Sequence, residues 1–354
     1  MERTFYPLRI AEIRRETADT VSIALDVPPQ HVERFSFRPG QFLTFRVAGS
    51  DGGTVDRSYS ICSTPEDGEL RVVVKRLVGG VFGERAHTTM AVGEVLETLP
   101  PQGRFTTPVD ASRTKAYLAI AAGSGISPVM SVIRAVLTTE PESRVTLLYG
   151  NRGQSSVIFR DALADLKDKN LSRLDIVHVF SREQQDAELL NGRLTTAKLT
   201  DLAKQLVDIP AYDEAFVCGP EPMTLELRQA LIDLGMPADH IHLELFGSHA
   251  PPPTTATDVD HETVRLDVAL GGIRRTIDGH RDETILDAAR DAGLDVPFSC
   301  TGGVCATCRA RVVEGDVEMQ VNYALQPWEL EAGFVLTCQS RPTTPAVTVD
   351  YDAV

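Results

Sequence analysis

Hydrophobic and polar positions change rhythm three times along the chain. In the first hundred or so residues, short segments at 20–27, 41–47 and 70–76 alternate apolar and polar side chains, with Gly, Pro and Asp between them. A period of two broken by turn residues predicts short strands and a small antiparallel barrel. From Lys115 the pattern lengthens. Apolar strands at 117–122, 145–149, 175–180 and 214–218 are interleaved with helices at 128–137, 159–168 and 225–234. Strand, glycine turn, helix, strand predicts a parallel sheet with crossover helices, a layout that puts ligands at the C-terminal ends of the strands. Near the C-terminus the period of two returns: 264–270 alternates, turns at Gly271-Gly272 and continues over 273–277. Thr284 then caps a short helix over 285–290 that stops at Gly293. The stretch Ser248-His249-Ala250-Pro251-Pro252-Pro253-Thr254-Thr255-Ala256-Thr257-Asp258 stiffens the chain and buries nothing, as a spacer does. The predicted organisation is a barrel domain over 1–108, an α/β domain over 109–247, a linker over 248–262 and a third domain over 263–354.

Composition narrows the class. With 354 residues, 42% apolar and 24% charged, the chain is an ordinary globular protein of two or three domains. It has no run of 18 apolar residues, and its start, Met1-Glu2-Arg3-Thr4-Phe5-Tyr6-Pro7, lacks the apolar core of a secretory signal. A cytoplasmic location with no membrane contact is expected. The net charge of −15 argues against nucleic acid, whose phosphates would be repelled. Residues 263–354 hold 14 Asp/Glu against 8 Lys/Arg, a net −6. That acidity suits steering of a basic partner and plain solubility equally.

Four of the six cysteines lie in this last segment: Cys300, Cys305 and Cys308, spaced C-x4-C-x2-C, and Cys338. This is the plant-type [2Fe–2S] pattern. The loop Cys300-Thr301-Gly302-Gly303-Val304-Cys305-Ala306-Thr307-Cys308 carries glycines that let backbone N–H groups approach cluster sulfurs. Disulfides do not suit a reducing compartment, and structural zinc would more naturally show two C-x2-C pairs. The chemistry implied is one-electron transfer. The hairpin, helix, cysteine loop and later strands resemble the β-grasp fold of plant-type ferredoxins.

In the barrel, Arg57-Ser58-Tyr59-Ser60 projects Arg57 and Tyr59 to one face of a strand. A guanidinium suits a phosphate and a tyrosine ring can lie on a planar heterocycle, although R-x-Y-S alone also fits a surface strand. Arg38-Pro39-Gly40-Gln41-Phe42 upstream, and Val74-Lys75-Arg76 and Gly79-Gly80-Val81-Phe82-Gly83 downstream, set this motif in a wider pattern. With them the sequence resembles the ferredoxin–NADP reductase superfamily. The resemblance implies FAD, with FMN the lesser alternative: Arg57 on the flavin phosphate, Tyr59 against the isoalloxazine, Ser60 near its N5, and the segment from Gly79 to Gly83 at the pyrophosphate. It also implies a serine at position 83. Glycine there removes one hydrogen bond, worth about 1–2 kcal/mol.

Ala121-Ala122-Gly123-Ser124-Gly125-Ile126-Ser127-Pro128 follows a strand and opens a helix, so the backbone can approach a pyrophosphate at the helix N-terminus. A glycine turn alone is often only a tight connection, but G-x-G-x-x-P matches the same superfamily. Cys218-Gly219-Pro220-Glu221-Pro222-Met223 closes a later strand. By the resemblance it lines the nicotinamide pocket, with Cys218 beside the ring carbon that gives hydride, a positional role and not a nucleophilic one. His242-Leu243-Glu244-Leu245-Phe246 resembles the segment that brings an aromatic ring and a carboxylate near the flavin. Arg152 and Ser181-Arg182 each follow a strand with no acid immediately beside them, which favours the 2′-phosphate of NADPH over NADH.

Flavin barrel, nucleotide domain and ferredoxin together imply a relay: hydride from NADPH to the flavin, then single electrons through the cluster to an outside acceptor. The cluster is then expected near the flavin edge that the nicotinamide leaves free. Segments such as Thr139-Glu140-Pro141-Glu142-Ser143 and Tyr212-Asp213-Glu214-Ala215-Phe216-Val217-Cys218-Gly219-Pro220 are similar to those of reductases serving bacterial multicomponent monooxygenases, which implies a diiron oxygenase as partner. A reductase for a steroid hydroxylase or a ring-hydroxylating dioxygenase would carry the same cofactor motifs. A stand-alone electron carrier or redox sensor would lack a productive nicotinamide site.

Overall fold

The computed structural model describes residues 4–49, 53–246 and 262–353; the spacer expected at 248–262 falls, but for Glu262, outside them. The chain forms two compact units, Phe5–Phe246 and a C-terminal unit.

The first unit opens with β1 (Tyr6–Thr17), β2 (Thr20–Asp26), β3 (Phe42–Ala48), β4 (Thr54–Ser60), β5 (Leu70–Lys75), helix α1 (Val81–Thr88) and β6 (Val95–Gln102). The strands are antiparallel in the order β4-β3-β6-β1-β2-β5, and a bridge between Ile61 and Val72 joins the two ends into a barrel. Leu8, Ile10, Ile23, Leu43, Phe45, Val72 and Val74 fill it. Three of these elements escape the alternation rule. In β1 only Leu8 and Ile10 are buried, β6 carries two prolines, and α1 contains Gly83, a weak helix former.

The same unit continues through β7 (Ala116–Ala122), α2 (Ile126–Thr139), β8 (Arg144–Asn151), α3 (Arg160–Lys169), β9 (Leu174–Phe180), α4 (Thr196–Gln205), β10 (Glu214–Gly219), α5 (Glu221–Asp233) and β11 (Ile241–Leu245). The sheet is parallel, in the order β11-β10-β7-β8-β9, so the winding reverses at β7. Helix α2 is buried nearly all round because it packs on this sheet and on the barrel at once. Ser127 and Ser131, one turn apart on the same face, donate their hydroxyls to the carbonyls of Ser60 (2.8 Å) and Ser63 (2.6 Å). Cys62, Val73 and Phe105 from the barrel side join Tyr117, Val129, Tyr149 and Phe216 in one core. Barrel and α/β sheet are therefore a single packed body.

At the N-terminal end of the sheet, Glu214 takes hydrogen bonds from Lys115 and His242, the latter at 3.0 Å. Burial pushes its carboxyl up, but His242 and Lys115 more than offset that and hold it at about 2. A carboxylate so depressed stabilises the fold above its ordinary value near 4.5, and that contribution fades as pH falls toward 2. Glu214→Gln is expected to cost ~2 kcal/mol at neutral pH. Urea unfolding across pH should show the deficit shrinking steadily below pH ~4.5. A deficit that stays constant with pH would exclude this origin.

The C-terminal unit contains β12 (Thr263–Leu270), β13 (Ile273–His280), α6 (Ile285–Asp291), β14 (Arg309–Glu314), β15 (Val317–Met319), α7 (Pro327–Glu331), β16 (Phe334–Leu336), β17 (Ser340–Pro342) and β18 (Ala346–Asp350). Its main sheet runs β13-β12-β18-β14-β16, with β12 and β18 parallel. Thr284 Oγ1 accepts the Asp287 N–H at 3.1 Å and starts α6, whose Ile285, Leu286, Ala288 and Ala289 are buried in the unit's core. The β12–β13 turn needs two left-handed residues, Gly271 (φ +62°) and Gly272 (φ +75°), and the Asp352 carboxylate accepts both their N–H groups. A mixed sheet grasping one helix is the expected ferredoxin-like fold.

Candidate flavin, nicotinamide and cluster sites

Strand β4 ends in the R-x-Y-S motif. Arg57 is exposed, its guanidinium donating to the Asp56 carbonyl (2.9 Å), while Tyr59 is largely buried and burial raises its hydroxyl to about 12. The Tyr59 ring lies 4.9 Å from that of Phe82, which stacks on Phe45 at 5.2 Å. The two predicted flavin segments, 57–60 and 79–83, thus meet. Gly80 is the N-cap of α1, so what reads as a glycine loop is in fact a helix N-terminus led by Val81 and Phe82. Ser58 Oγ is 2.9 Å from Thr44 Oγ1. Among the described residues Ser60 Oγ, which is buried, has no hydrogen-bond partner, leaving an acceptor and donor for a ligand atom. Val74 is fully buried in the barrel core, so only its backbone can face a cofactor. A Cβ at Gly83 would stand 3.1 Å from the Lys75 carbonyl, so its glycine lets α1 settle close on the end of β5.

Lys75 links this region to the nucleotide turn, its Nζ 3.8 Å from where a Gly123 Cβ would stand. Gly123, Ser124 and Gly125 form a 3-10 turn leading into α2. Gly123 has φ +54°, and a Cβ on Gly125 would lie 2.1 Å from the Cys218 carbonyl oxygen. Gly219 is as crowded, a Cβ there meeting Met223 Cε at 2.5 Å and Ala122 Cβ at 3.1 Å. These two glycines bring the ends of β7 and β10 together, at the switch point of the sheet where nucleotides bind. Pro220 is the N-cap of α5. Cys218 is fully buried; burial, and secondarily Glu244, keeps its thiol protonated and unreactive, as a positional role requires. Glu244 is Cys218's register partner on β11, and Phe246 packs against the core that contains Cys218.

At the ends of β8 and β9 the backbone ties Arg152 to Arg182 and Asn151 to Ser181, each by an N–H···O bond of 2.9 Å. A third arginine, missed in the sequence, is brought here by tertiary structure. Asn191 bridges to Phe180 in parallel register and Gly192 N–H donates to the Phe180 carbonyl, so Arg193 follows a segment tied to the end of β9. The three arginines are exposed, and among the described residues none is ion-paired. Glu183, next to Arg182, lies over the 152–154 loop and accepts the Gln154 N–H at 2.8 Å.

In the C-terminal unit the six-residue arc from Cys300 to Cys305 and the return at Cys338 bring four thiols together in two pairs. Cys300 is hydrogen-bonded to Cys305 and Cys308 to Cys338, and in each pair the first effect on the acceptor thiol, Cys300 or Cys338, is to lower it. Thr301 (φ +50°), Gly303 (φ +79°) and Ala306 (φ +55°) are left-handed, which turns backbone N–H groups inward; those of Cys300 and Thr307 each donate to Cys305 Sγ at 3.5 Å. All six cysteines are free thiols in this structure. Among the described residues no three His, Cys, Asp or Glu converge on a single metal ion. Two thiols for each of two irons, with N–H groups aimed at sulfur, fit a [2Fe–2S] cluster.

A flavin barrel, a nucleotide sheet sharing its core and a two-plus-two thiol site define a pyridine-nucleotide-dependent flavin/iron–sulfur reductase. Family models agree segment by segment: the oxidoreductase FAD-binding domain over residues 7–107, the oxidoreductase NAD-binding domain over 119–229 and the 2Fe-2S iron-sulfur cluster binding domain over 257–343. The chain belongs to the reductase components of multicomponent oxygenases and works with an oxygenase partner. It is 46% identical to a component of the 1,2-phenylacetyl-CoA epoxidase of Escherichia coli (strain K12), over 99% of this chain and 98% of that protein. It is 36% identical to the ferredoxin reductase component of 3-ketosteroid-9-alpha-monooxygenase from Rhodococcus rhodochrous, covering 97% and 96%. The fold is that of phthalate dioxygenase reductase (TM-score 0.53, 22% identity, 98% of each chain). No helix among the described residues is long and apolar enough to cross a membrane.

Proposed function

We propose that this protein draws electrons from NADPH and delivers them to the diiron oxygenase of a phenylacetyl-CoA epoxidase, in the cytoplasm. The observation that carries the partner is the 46% identity extending through barrel, sheet and ferredoxin unit alike. When bound, the flavin takes up an electron pair as hydride and the cluster hands electrons on singly. In this reading the domains are a flavin barrel over 1–108, a nucleotide domain over 109–247 and a ferredoxin domain over 263–354.

The chain's own residues bind, orient and exclude water. Arg57 holds the flavin phosphate, with the N-terminus of α1 at Gly80-Val81-Phe82-Gly83 and Lys75 giving further positive potential. Tyr59 supports the flavin ring, and Ser60 supplies its buried hydroxyl near N5. Gly123, Ser124 and Gly125 cradle the nicotinamide pyrophosphate. Cys218, Gly219, Pro220 and Met223 wall the nicotinamide, and Phe246 shields the flavin face. Cys300, Cys305, Cys308 and Cys338 hold the cluster.

Arg152, Ser181, Arg182 and Arg193 form the cationic mouth that recognises the 2′-phosphate. Arg182→Ala and Arg193→Ala are each expected to raise KM for NADPH about tenfold, a loss typical of one charged hydrogen bond, with NADH unchanged. Equal losses with both coenzymes would exclude phosphate recognition. The whole assignment is tested by mixing the protein with the epoxidase complex and following NADPH- and O2-dependent conversion of phenylacetyl-CoA. Product in proportion to NADPH consumed supports it. NADPH oxidation without product, with flavin and cluster both reducible, keeps the reductase and discards this partner, and 3-ketosteroid hydroxylation would then be tried.

A further inference from the structure

Gln339 follows the last cysteine, carries no charge and is not a metal ligand by type. Its side chain nevertheless reaches back over the cysteine loop. Nε2 donates to the Thr301 carbonyl at 2.6 Å and lies 3.8 Å from Cys338 Sγ, within N–H···S range. A carboxamide has two N–H groups, so both bonds can be made at once. The stem packs on Gly303, where an added Cβ would stand 3.4 Å from Gln339 Cγ. Its main chain is held on both sides: N–H to the Leu336 carbonyl at 2.8 Å, carbonyl to the Gln320 N–H at 2.9 Å. The side chain therefore has a fixed origin and two polar anchors, one of them a cluster thiol.

We propose that Gln339 is a positioning residue that clips Cys338 to the three-cysteine loop and raises the cluster's reduction potential through its N–H···S bond. The proposal rests on the cluster reading above. Negative charge on the sulfurs grows when the cluster gains an electron, so a donor aimed at Sγ favours the reduced form. The bonds from Cys300 and Thr307 to Cys305 come from the main chain, which substitution leaves in place. Gln339 supplies its bond from a side chain, so one substitution removes it.

The experiment is EPR-monitored potentiometric titration of the holoprotein, with iron content and the flavin potential measured in the same samples. Gln339→Met keeps the length and loses the donor. Its cluster is expected to be about tenfold harder to reduce, a fall of ~59 mV for one electron, with the flavin potential unmoved. Gln339→Glu keeps the shape and adds a titratable group, so its cluster potential should fall further and become pH-dependent where the wild type's is not. If Gln339→Met fails to retain iron, Gln339→Glu decides. Wild-type potentials in loaded variants, or loss of iron from both, overturn the potential-setting role. A wild-type protein without a [2Fe–2S] EPR signal on reduction would instead remove the cluster reading itself.

Discussion

Cys300→Ser is expected to leave NADPH able to bleach the bound flavin while electron delivery to the oxygenase falls by at least ~100-fold. The reason is the division of labour between two compact units. Cys300 stands in the C-terminal unit, paired with Cys305 and further stabilised as thiolate by the backbone N–H groups of Val304, Gly302 and Cys305. Removing its sulfur leaves Cys305 without its partner, whereas every group proposed for flavin and nicotinamide lies within Phe5–Phe246. Stopped-flow absorbance separates the two halves: flavin bleaching should keep its wild-type rate, and oxygenase turnover should collapse. Normal turnover from a sample lacking iron would sink the relay.

Gly125→Ala should do the reverse. The added Cβ would stand 2.1 Å from the Cys218 carbonyl oxygen, 2.5 Å from its carbon and 2.8 Å from the Gly219 nitrogen, all of them backbone. No flexible side chain can move aside, so the ends of β7 and β10 must part, at a cost of about 1–3 kcal/mol. A displacement of about 1 Å at the nicotinamide is enough to slow hydride transfer ~100-fold. Flavin content and chemical reduction of the cluster should be kept, with kcat/KM for NADPH reduced in flavin bleaching. Gly123→Ala makes a useful contrast: its φ of +54° is unfavourable to alanine, but only Lys75 Nζ at 3.8 Å stands nearby. An unchanged bleaching rate in Gly125→Ala would show that the close approach of the two strand ends does not position the coenzyme.

The cofactor chemistry was legible because it is local. Three cysteines within nine residues state their purpose through spacing, whereas the glycines ahead of a helix and R-x-Y-S on a strand gain theirs from the wider pattern that resembles the reductase superfamily. The sheet strands were legible for the same reason, since burial on one or both faces leaves a periodic trace. Elements with little burial or awkward residues left none: β1 hides only Leu8 and Ile10, and α1 forms around Gly83 because it packs on the end of β5.

By itself, then, the sequence pointed to the cluster through its cysteine spacing, and to flavin, nucleotide and the relay between them through resemblance to the reductase superfamily. Tertiary structure alone decided the rest. Ser127 and Ser131 dock the nucleotide sheet onto the barrel through carbonyls more than sixty positions away, with separations of 67 and 68. It also paired Cys308 with Cys338, tied Asn191 to the end of β9, bonded Glu183 to the Gln154 backbone and laid Gln339 across the cysteine loop. Each of these contacts joins residues that are not neighbours in any local repeat. Their energy comes from packing and hydrogen bonds that exist only once the chain has closed on itself.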